Sequence, residues 1–331
     1  MMAALRRIAL GFAVLWGALT LVFLLFSLVP DPARQLAGQN ERQEVVDAFR
    51  QRHGLDQPLG VRYARFWMGL SPLGPDEEGE RWTWRTPSLG RSFIGDRPVL
   101  DAILDALPAT LFLAVLAMAL AATVGIALGM YLSTVPDSRM DRALLGLAAM
   151  GMSAPSFVVA IGLSWLLGSV GHAYTGLPMT GGMWEVDPFV GPRLAWQNAI
   201  LPALTLGIRP LSVITQLTRN AAIEVQEQAY IRTARSKGLS ARRILLRHVL
   251  RNALNPVVTA ISGWFATLLA GAVFVEFVFG WQGMGLLMFR SLEQGDLPMV
   301  MGCVGVVATI FVLVNLFVDA IHSWLDPRIE G

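Results

Sequence analysis

The chain has 331 residues, of which 54% are hydrophobic and only 15% charged, with a formal net charge of +2. Soluble domains carry about a quarter charged residues, so this composition excludes an ordinary water-soluble domain and makes lipid the solvent for much of the chain. The one cysteine, Cys303, excludes an intramolecular disulfide. The one lysine, Lys237, is followed by Gly238, which excludes the Gly-x-x-x-x-Gly-Lys-Ser/Thr loop that cradles nucleotide phosphates.

Arg6 and Arg7 precede a charge-free run over residues 8–29. At about 1.5 Å per residue this run reaches roughly 33 Å, enough to cross a bilayer and longer than the apolar core of a secretion signal. It ends in Pro30-Asp31-Pro32 without a small-residue cleavage site, so residues 1–30 read as an uncleaved first spanning helix. Residues 31–98 follow as a long exterior segment. It holds a helix-like stretch over 40–53, the string Gly54-Leu55-Asp56-Gln57-Pro58-Leu59, and an acidic, Pro/Gly-rich patch over 71–80. With Tyr63, Phe66, Trp67, Trp82 and Trp84 it is expected to form a partly ordered cap on the outer membrane face; the alternative is a solvated connector.

Four more charge-free stretches, 106–135, 143–171, 254–275 and 297–318, are each long enough to span. Residues 194–218 make a further span that contains Gln197, Asn198, Pro202, Arg209 and Pro210. A lipid-facing arginine at mid-span costs about 2.5–3.5 kcal/mol, so Arg209 should face protein, water or headgroups. The expected fold is an all-α polytopic membrane protein with six transmembrane helices, residues 99–322 forming its five-helix core and 323–331 a tail. Six spans put both termini on one side. Basic residues crowd the N-terminal tail, Arg139 and Arg142, and the stretch 219–251, whereas the two short opposite loops carry only Arg193 and Arg290; the 31–98 segment sets ten Arg against ten acids and is too long for the rule, so both termini and the 219–253 loop are expected in the cytoplasm.

Several features within the spans have a sharp and a plain reading. Gly125-x-x-x-Gly129 permits close helix approach, either in ordinary packing or at a subunit interface. Ser153-Ala154-Pro155-Ser156 interrupts the third span, and Pro155 frees a backbone carbonyl that a neighbour or water must satisfy. Ser153, Pro155 and Ser156 are therefore candidates to line a translocation path, or to form a packed kink. Glu276 and Asp319 sit at the edges of the fifth and sixth spans. Intramembrane acids are functional candidates by default, but these lie at opposite ends and are read as structural or gating residues with helix-end partners such as an arginine. The four histidines show no metal-ligand spacing, and no Ser/His/Asp or paired-acid constellation appears, so neither a metal site nor catalytic residues are expected.

Two short helical pieces flank Gly238-Leu239-Ser240, where Gly238 can end one helix in a left-handed conformation and Ser240 can cap the next. The small residues Ala234 and Gly238 lie four apart, so a partner surface could approach the backbone there. Arg243, Arg247 and Arg251 repeat every four residues, a cluster suited to anionic headgroups or an acidic partner rather than to nucleic acid.

The elbow resembles the cytoplasmic coupling motif of binding-protein-dependent ATP-binding-cassette importers, Glu-Ala-Ala, three residues, then Gly. Aligned on Gly238, the Glu and first Ala fall on Arg232 and Thr233 and the second Ala on Ala234, while a later Ile-x-Leu-Pro becomes His248-Val249-Leu250-Arg251. The dipeptide/oligopeptide (peptide/nickel) permease branch shares the Arg-Thr-Ala-Arg-x-Lys-Gly core and the Arg-His-x-Leu-Arg-Asn-Ala continuation found here. It is also similar at 54–59, Leu89-Gly90-Arg91-Ser92, 107–111, 153–157, 276–285 and 325–329, with Gln282 in place of the usual proline.

This resemblance implies a type I importer permease with a large periplasmic loop between its first two helices, in the bacterial inner membrane. It implies a second homologous permease, two ATP-binding subunits that carry the ATP and magnesium, and an extracytoplasmic substrate-binding protein. No cofactor is implied on this chain. Arg232, Thr233, Ala234, Arg235, Lys237, Gly238, Leu239 and Ser240 would couple it to the ATPases, with Ala234 facing them. The implied cargo is a di- or oligopeptide, with nickel or glutathione as the alternative. A lone ion-coupled carrier would need inverted repeats and paired midplane sites, and neither is seen in the sequence.

Overall fold

The computed structural model describes residues 2–27, 43–75, 82–84, 86–187, 189 and 191–325. Residues 28–42, most of the acidic patch (76–80) and the end of the tail (326–331) lie outside the described residues. The long apolar runs fold as helices because the bilayer offers the backbone no hydrogen-bond partners, and a helix satisfies its own. In chain order these are α1 (Met2–Ser27), α2 (Gln43–His53), α3 (Leu59–Leu70), α4 (Val99–Leu132), α5 (Arg139–Ser153) and α6 (Ser156–Leu163). After α6 the coil widens through Ser164–Val170. There follow α7 (Ile200–Glu227), α8 (Ala229–Ser236), α9 (Ala241–Ile244), α10 (Leu250–Phe279), α11 (Met284–Glu293) and α12 (Leu297–Leu325). Short helical turns at His172–Thr175, Trp196–Ala199 and Leu245–Val249 join these, and the described residues also form two antiparallel hairpins, β1 (Leu73–Pro75) with β2 (Trp82–Trp84) and β3 (Trp184–Asp187) with β4 (Gly191–Leu194).

Four helical stretches are long and apolar enough to cross a membrane: Ala9–Ser27, Val99–Leu132, Trp196–Glu227 and Leu297–Phe317. Two bent pairs bring the number to six if each is one span. The expected third span is not straight: Arg139–Ser153 and Ser156–Val170 meet at 110°. Ala154 and Pro155 are both extended, because a residue before proline is driven out of the helical region, so the helix stops instead of merely kinking.

The chain divides into two compact units, with boundaries inside α4 after Pro108 and inside α12 after Leu313. The first unit contains α1 to α3, the start of α4, α11 and the first part of α12. Phe23, Leu297 and Met301 are buried together with Tyr63, Phe66 and Phe93, and the Thr20 hydroxyl is 2.7 Å from that of Tyr63. The helices at 43–53 and 59–70 are thus ordered, with α3 seated on the end of α1. Asp296 locks the 92–93 loop to the start of α12. Its buried carboxylate accepts the Ser92 hydroxyl, the Phe93 N–H at 3.1 Å and the Met299 N–H at 3.4 Å. A cap of this kind is worth about 0.5–2 kcal/mol. Cys303 is fully buried beside Val99 and Ile103, where it packs as a small apolar residue.

In the second unit α4 and α7 come within backbone reach. A Cβ on Gly125 would sit 2.9 Å from Ile214 Cγ2, and one on Gly129 would sit 2.6 Å from the Thr215 carbonyl oxygen. The Gly125-x-x-x-Gly129 pair is therefore used inside the chain, against its own α7. On α7 Thr205, Ser212 and Thr215 return their hydroxyls to carbonyls four residues back, which keeps these polar groups satisfied inside an apolar bundle.

Candidate functional site

The elbow runs from Gln228, whose extended backbone (φ −65°, ψ 146°) ends α7, to Val249. Ile231, Ala234, Ile244 and Val249 are buried with Met130, Ala222 and Ala253, so α8 and α9 rest on the ends of α4, α7 and α10 by one apolar face. Helix α8 closes at Gly238, whose φ of +76° only glycine adopts without cost. The Gly238 N–H donates to the Arg235 carbonyl at 2.9 Å and the Leu239 N–H to that of Ala234 at 3.3 Å, while Leu239 folds its side chain onto the cluster. These are the paired hydrogen bonds and apolar contact of a Schellman closure.

Two expectations change here. Ala234 points into the cluster and not outward, because it shares a helical face with Ile231 three residues earlier. Ser240 has the extended backbone of an N-cap (φ −62°, ψ 145°) but its hydroxyl makes no capping bond, since it is exposed where water competes for the same N–H groups. Arg232, Thr233, Arg235, Lys237 and Gly238 are exposed, Leu239 is half-buried, and a Cβ on Gly238 would meet nothing within 4 Å. Arg243, Arg247 and Arg251 are exposed too, so the free face of the elbow is strongly cationic.

The elbow's support includes a feature that sequence spacing does not reveal. Asp141 on α5, 1% exposed, takes the Arg219 guanidinium in a two-pronged pair, Nε at 2.6 Å and Nη2 at 2.5 Å. The Asp137 N–H also donates to Asp141, and Ser138 caps α5 by accepting the Asp141 N–H at 3.1 Å. Close by, Gln226 donates to the carbonyl and hydroxyl oxygens of Ser133. Together these fasten the 133–141 connection to α7 immediately before the elbow.

Residues 125–331 match the model of the family described as binding-protein-dependent transport system inner membrane component, and residues 1–114 match that family's N-terminal membrane component. The chain belongs to this permease family. Among its relatives is a Brucella abortus protein named as a candidate peptide transport system permease, 37% identical over 98% of each chain. The dipeptide transport system permease of Alkalihalophilus pseudofirmus is 31% identical over 99% of this chain and 98% of its own. The glutathione transport system permease of Escherichia coli K12 is 36% identical over 94% and 92%. In fold, the permease is similar to the inward-facing methionine ABC transporter MetNI, with a TM-score of 0.54 at 17% identity over 67% of this chain and 95% of the other. It is a multi-pass inner-membrane transport permease.

The remaining predicted residues of the permease fall at three places in its second unit. At the break between α5 and α6, Ser153 and Pro155 are exposed and Ser156 half-buried. Arg209 of α7 reaches the same break and donates Nε and Nη2 to the Met152 carbonyl at 3.2 and 3.1 Å. A cation therefore caps the C-terminus of α5, where the helix dipole favours it, and Arg209 faces protein on one side and the exposed surface on the other. At the end of α10, Glu276 is fully buried and accepts the Thr110 hydroxyl at 2.6 Å. This hydroxyl is one partner that the sequence pattern does not indicate.

Trp281, also fully buried, donates its indole N–H to the Ala109 carbonyl at 3.0 Å and its backbone N–H to that of Glu276 at 2.8 Å. The turn is closed by Gly280 (φ +66°), so the absence of proline at the exposed Gln282 does not prevent it. Asp319 lies in α12, and its side chain lies outside the described residues.

Proposed function

We infer that the chain is one of two permease subunits of an ATP-driven importer that carries di- or oligopeptides delivered by an exterior binding protein. In this reading the chain crosses six times, each bent pair counting as one span, so both termini lie on one side, and the basic residues of 219–251 support that side, with the elbow, being the cytoplasm. There two ATPase subunits hold the elbow of this chain and its counterpart, with ATP and magnesium bound on the ATPases. The observation that carries the reading is the elbow itself: a cationic, glycine-closed turn seated by an apolar face on the ends of long helices. A motor that pushes on such a turn moves those helices as one piece. Arg232, Arg235, Lys237 and the open backbone at Gly238 form the contact, and Ala234 and Leu239 hold it to the bundle. The break at 153–156 borders the path.

The peptide and dipeptide names of the relatives support a peptide cargo. The glutathione relative supports the alternative within the same class, in which nickel is the other alternative cargo. Two measurements test the reading. A reporter active only outside the cytoplasm should give signal when fused after Gly79 and none after Ser240; the reverse pattern overturns the orientation. The purified chain should hydrolyse no ATP until its ATPase partners are added, and binding protein loaded with dipeptide should raise that hydrolysis; turnover by the chain alone overturns the permease role.

A further inference from the structure

Two sequence strings that the coupling role leaves unexplained, Gly54-Leu55-Asp56-Gln57-Pro58-Leu59 and Leu89-Gly90-Arg91-Ser92, meet in the first unit around a pocket of about 600 Å³. The pocket has two chemically distinct parts. Its floor is apolar: Phe23, near the end of α1, with Phe66, Leu297 and Met301. Among the described residues its wall carries Arg52, Arg62, Arg65 and Arg91 with one carboxylate, Asp96, which accepts Arg91 Nε and Arg52 Nη2 at 2.9 Å each.

The first string builds part of this wall. Gln57 Oε1 accepts Arg65 Nη2 at 2.7 Å. Gly54 (φ +62°) leaves the room in which the Arg65 guanidinium lies, since a Cβ there would stand 2.5 Å from Nη1. The second string supplies Arg91 and, through the Ser92–Asp296 bond, ties the wall to the start of α12. Phe23 and Leu297 belong to the ends of two candidate spans, and α1 leaves the apolar side chains of Leu21, Leu24 and Leu25 exposed at the same level. A cationic wall above an apolar floor at the ends of spans fits a molecule with an anionic head and a hydrocarbon body lying in the membrane.

We propose that this pocket binds the headgroup of an anionic phospholipid, its phosphate held by Arg62 and Arg65 and its upper acyl chain laid on Phe23, Phe66 and Met301. Arginine suits the task because its fork meets two phosphate oxygens at once. The bound lipid would then join α1, α3 and α12 as a structural component of the first unit.

The test uses the full-length permease, purified with the subunits that accompany it from nanodiscs of equal parts phosphatidylglycerol and phosphatidylcholine, and native mass spectrometry of the lipid it retains. Phosphatidylglycerol should be retained over phosphatidylcholine by roughly tenfold, the scale of one well-made charge-assisted contact. Arg62→Gln with Arg65→Gln should abolish that preference. Arg65→Lys, which keeps the charge but not the fork, should keep part of it and guards against a variant that merely fails to fold. Equal retention of both lipids, or an unchanged preference in the double variant, overturns the proposal. So does displacement of the lipid by millimolar inorganic phosphate or by a dipeptide, which would assign the pocket to a free anion.

Discussion

Arg219 and Asp141 are 78 residues apart in sequence, yet the guanidinium of one meets both carboxylate oxygens of the other. With Asp141 fully enclosed, the pair acts as a clamp between the α5 start and the stem of the elbow. Its removal from one side leaves a charge without its counter-ion. Asp141→Ala should cost about 3 kcal/mol, the range for breaking a buried pair, and lower the unfolding midpoint of the purified permease. Asp141→Asn, which keeps a hydrogen-bonding oxygen, should cost less. An unchanged midpoint in Asp141→Ala would show that the clamp contributes nothing.

Gly238 has open space around the position of a Cβ, so substitutions there act through the backbone alone. A left-handed residue costs an ordinary side chain of order 1–2 kcal/mol, more for a β-branched one, and asparagine least. Import and binding-protein-stimulated ATP hydrolysis should therefore fall in the order Asn, Ala, Val, with the amount of protein in the membrane unchanged. A Val variant that transports like wild type would remove the elbow as the point of transmission.

The inward placement of Ala234 separates seat from surface. Ala234→Glu buries a carboxylate among Ile231, Ile244 and Val249, a cost of several kcal/mol, and should open the 228–250 segment to protease in the membrane-inserted protein. Arg235→Glu, on the exposed face, should leave the digestion pattern as it is and weaken ATPase co-purification. Equal digestion of both variants would contradict the packing described.

His53 lies against Phe49 and Phe93, with ring centroids 4.4 and 4.8 Å away. Burial first, and then the neighbouring Arg52, lowers its pKa below the usual 6.5 despite the opposing pull of Asp96 and Asp296. The folded state thus resists protonation more than the unfolded one. The contribution is complete above pH of about 6.5 and is lost as pH falls through the lowered value. Amide hydrogen exchange of α2 should accelerate on acidification, after correction for intrinsic rates, and His53→Gln should flatten that dependence.

Arg209 holds the frayed end of α5 through the Met152 carbonyl. Arg209→Leu should leave insertion intact, since it removes a charge from an apolar stretch, but let the 153–156 break rearrange. A Cβ on Gly151 would stand 2.9 Å from Ser212 Oγ, so the cross-linking yield between cysteines placed at 151 and 212 should fall in the Leu variant relative to the same pair beside Arg209. An Arg209→Lys variant, which keeps the cation, should retain part of the import that Leu loses.

Much of this was legible from local chemistry. Gly238 announces a helix end because a left-handed turn costs glycine least, and the apolar runs announce helices because lipid permits little else. The errors came from relationships that a linear pattern does not carry. Ala234 and Gly238 make a small-residue pair in the linear pattern, whereas Ile231 sets the phase of α8 and turns Ala234 inward. Pro155 marked an interruption, but the 110° angle depends on two successive extended residues. The partners of Asp141 and Glu276 lie 78 and 166 residues away, and only the folded chain brings them together.

The break at Ala154–Pro155 also sets a length. Fifteen residues of α5 rise about 22 Å, and a hydrocarbon core is about 30 Å thick. Neither arm of the bent pair reaches across unaided, so the chain imposes hydrophobic mismatch on the bilayer beside it. Acyl chains must shorten or tilt there, and that deformation costs fractions of a kcal/mol per Å. Membrane thickness thereby becomes a variable to which this part of the permease responds, independently of anything bound to its elbow.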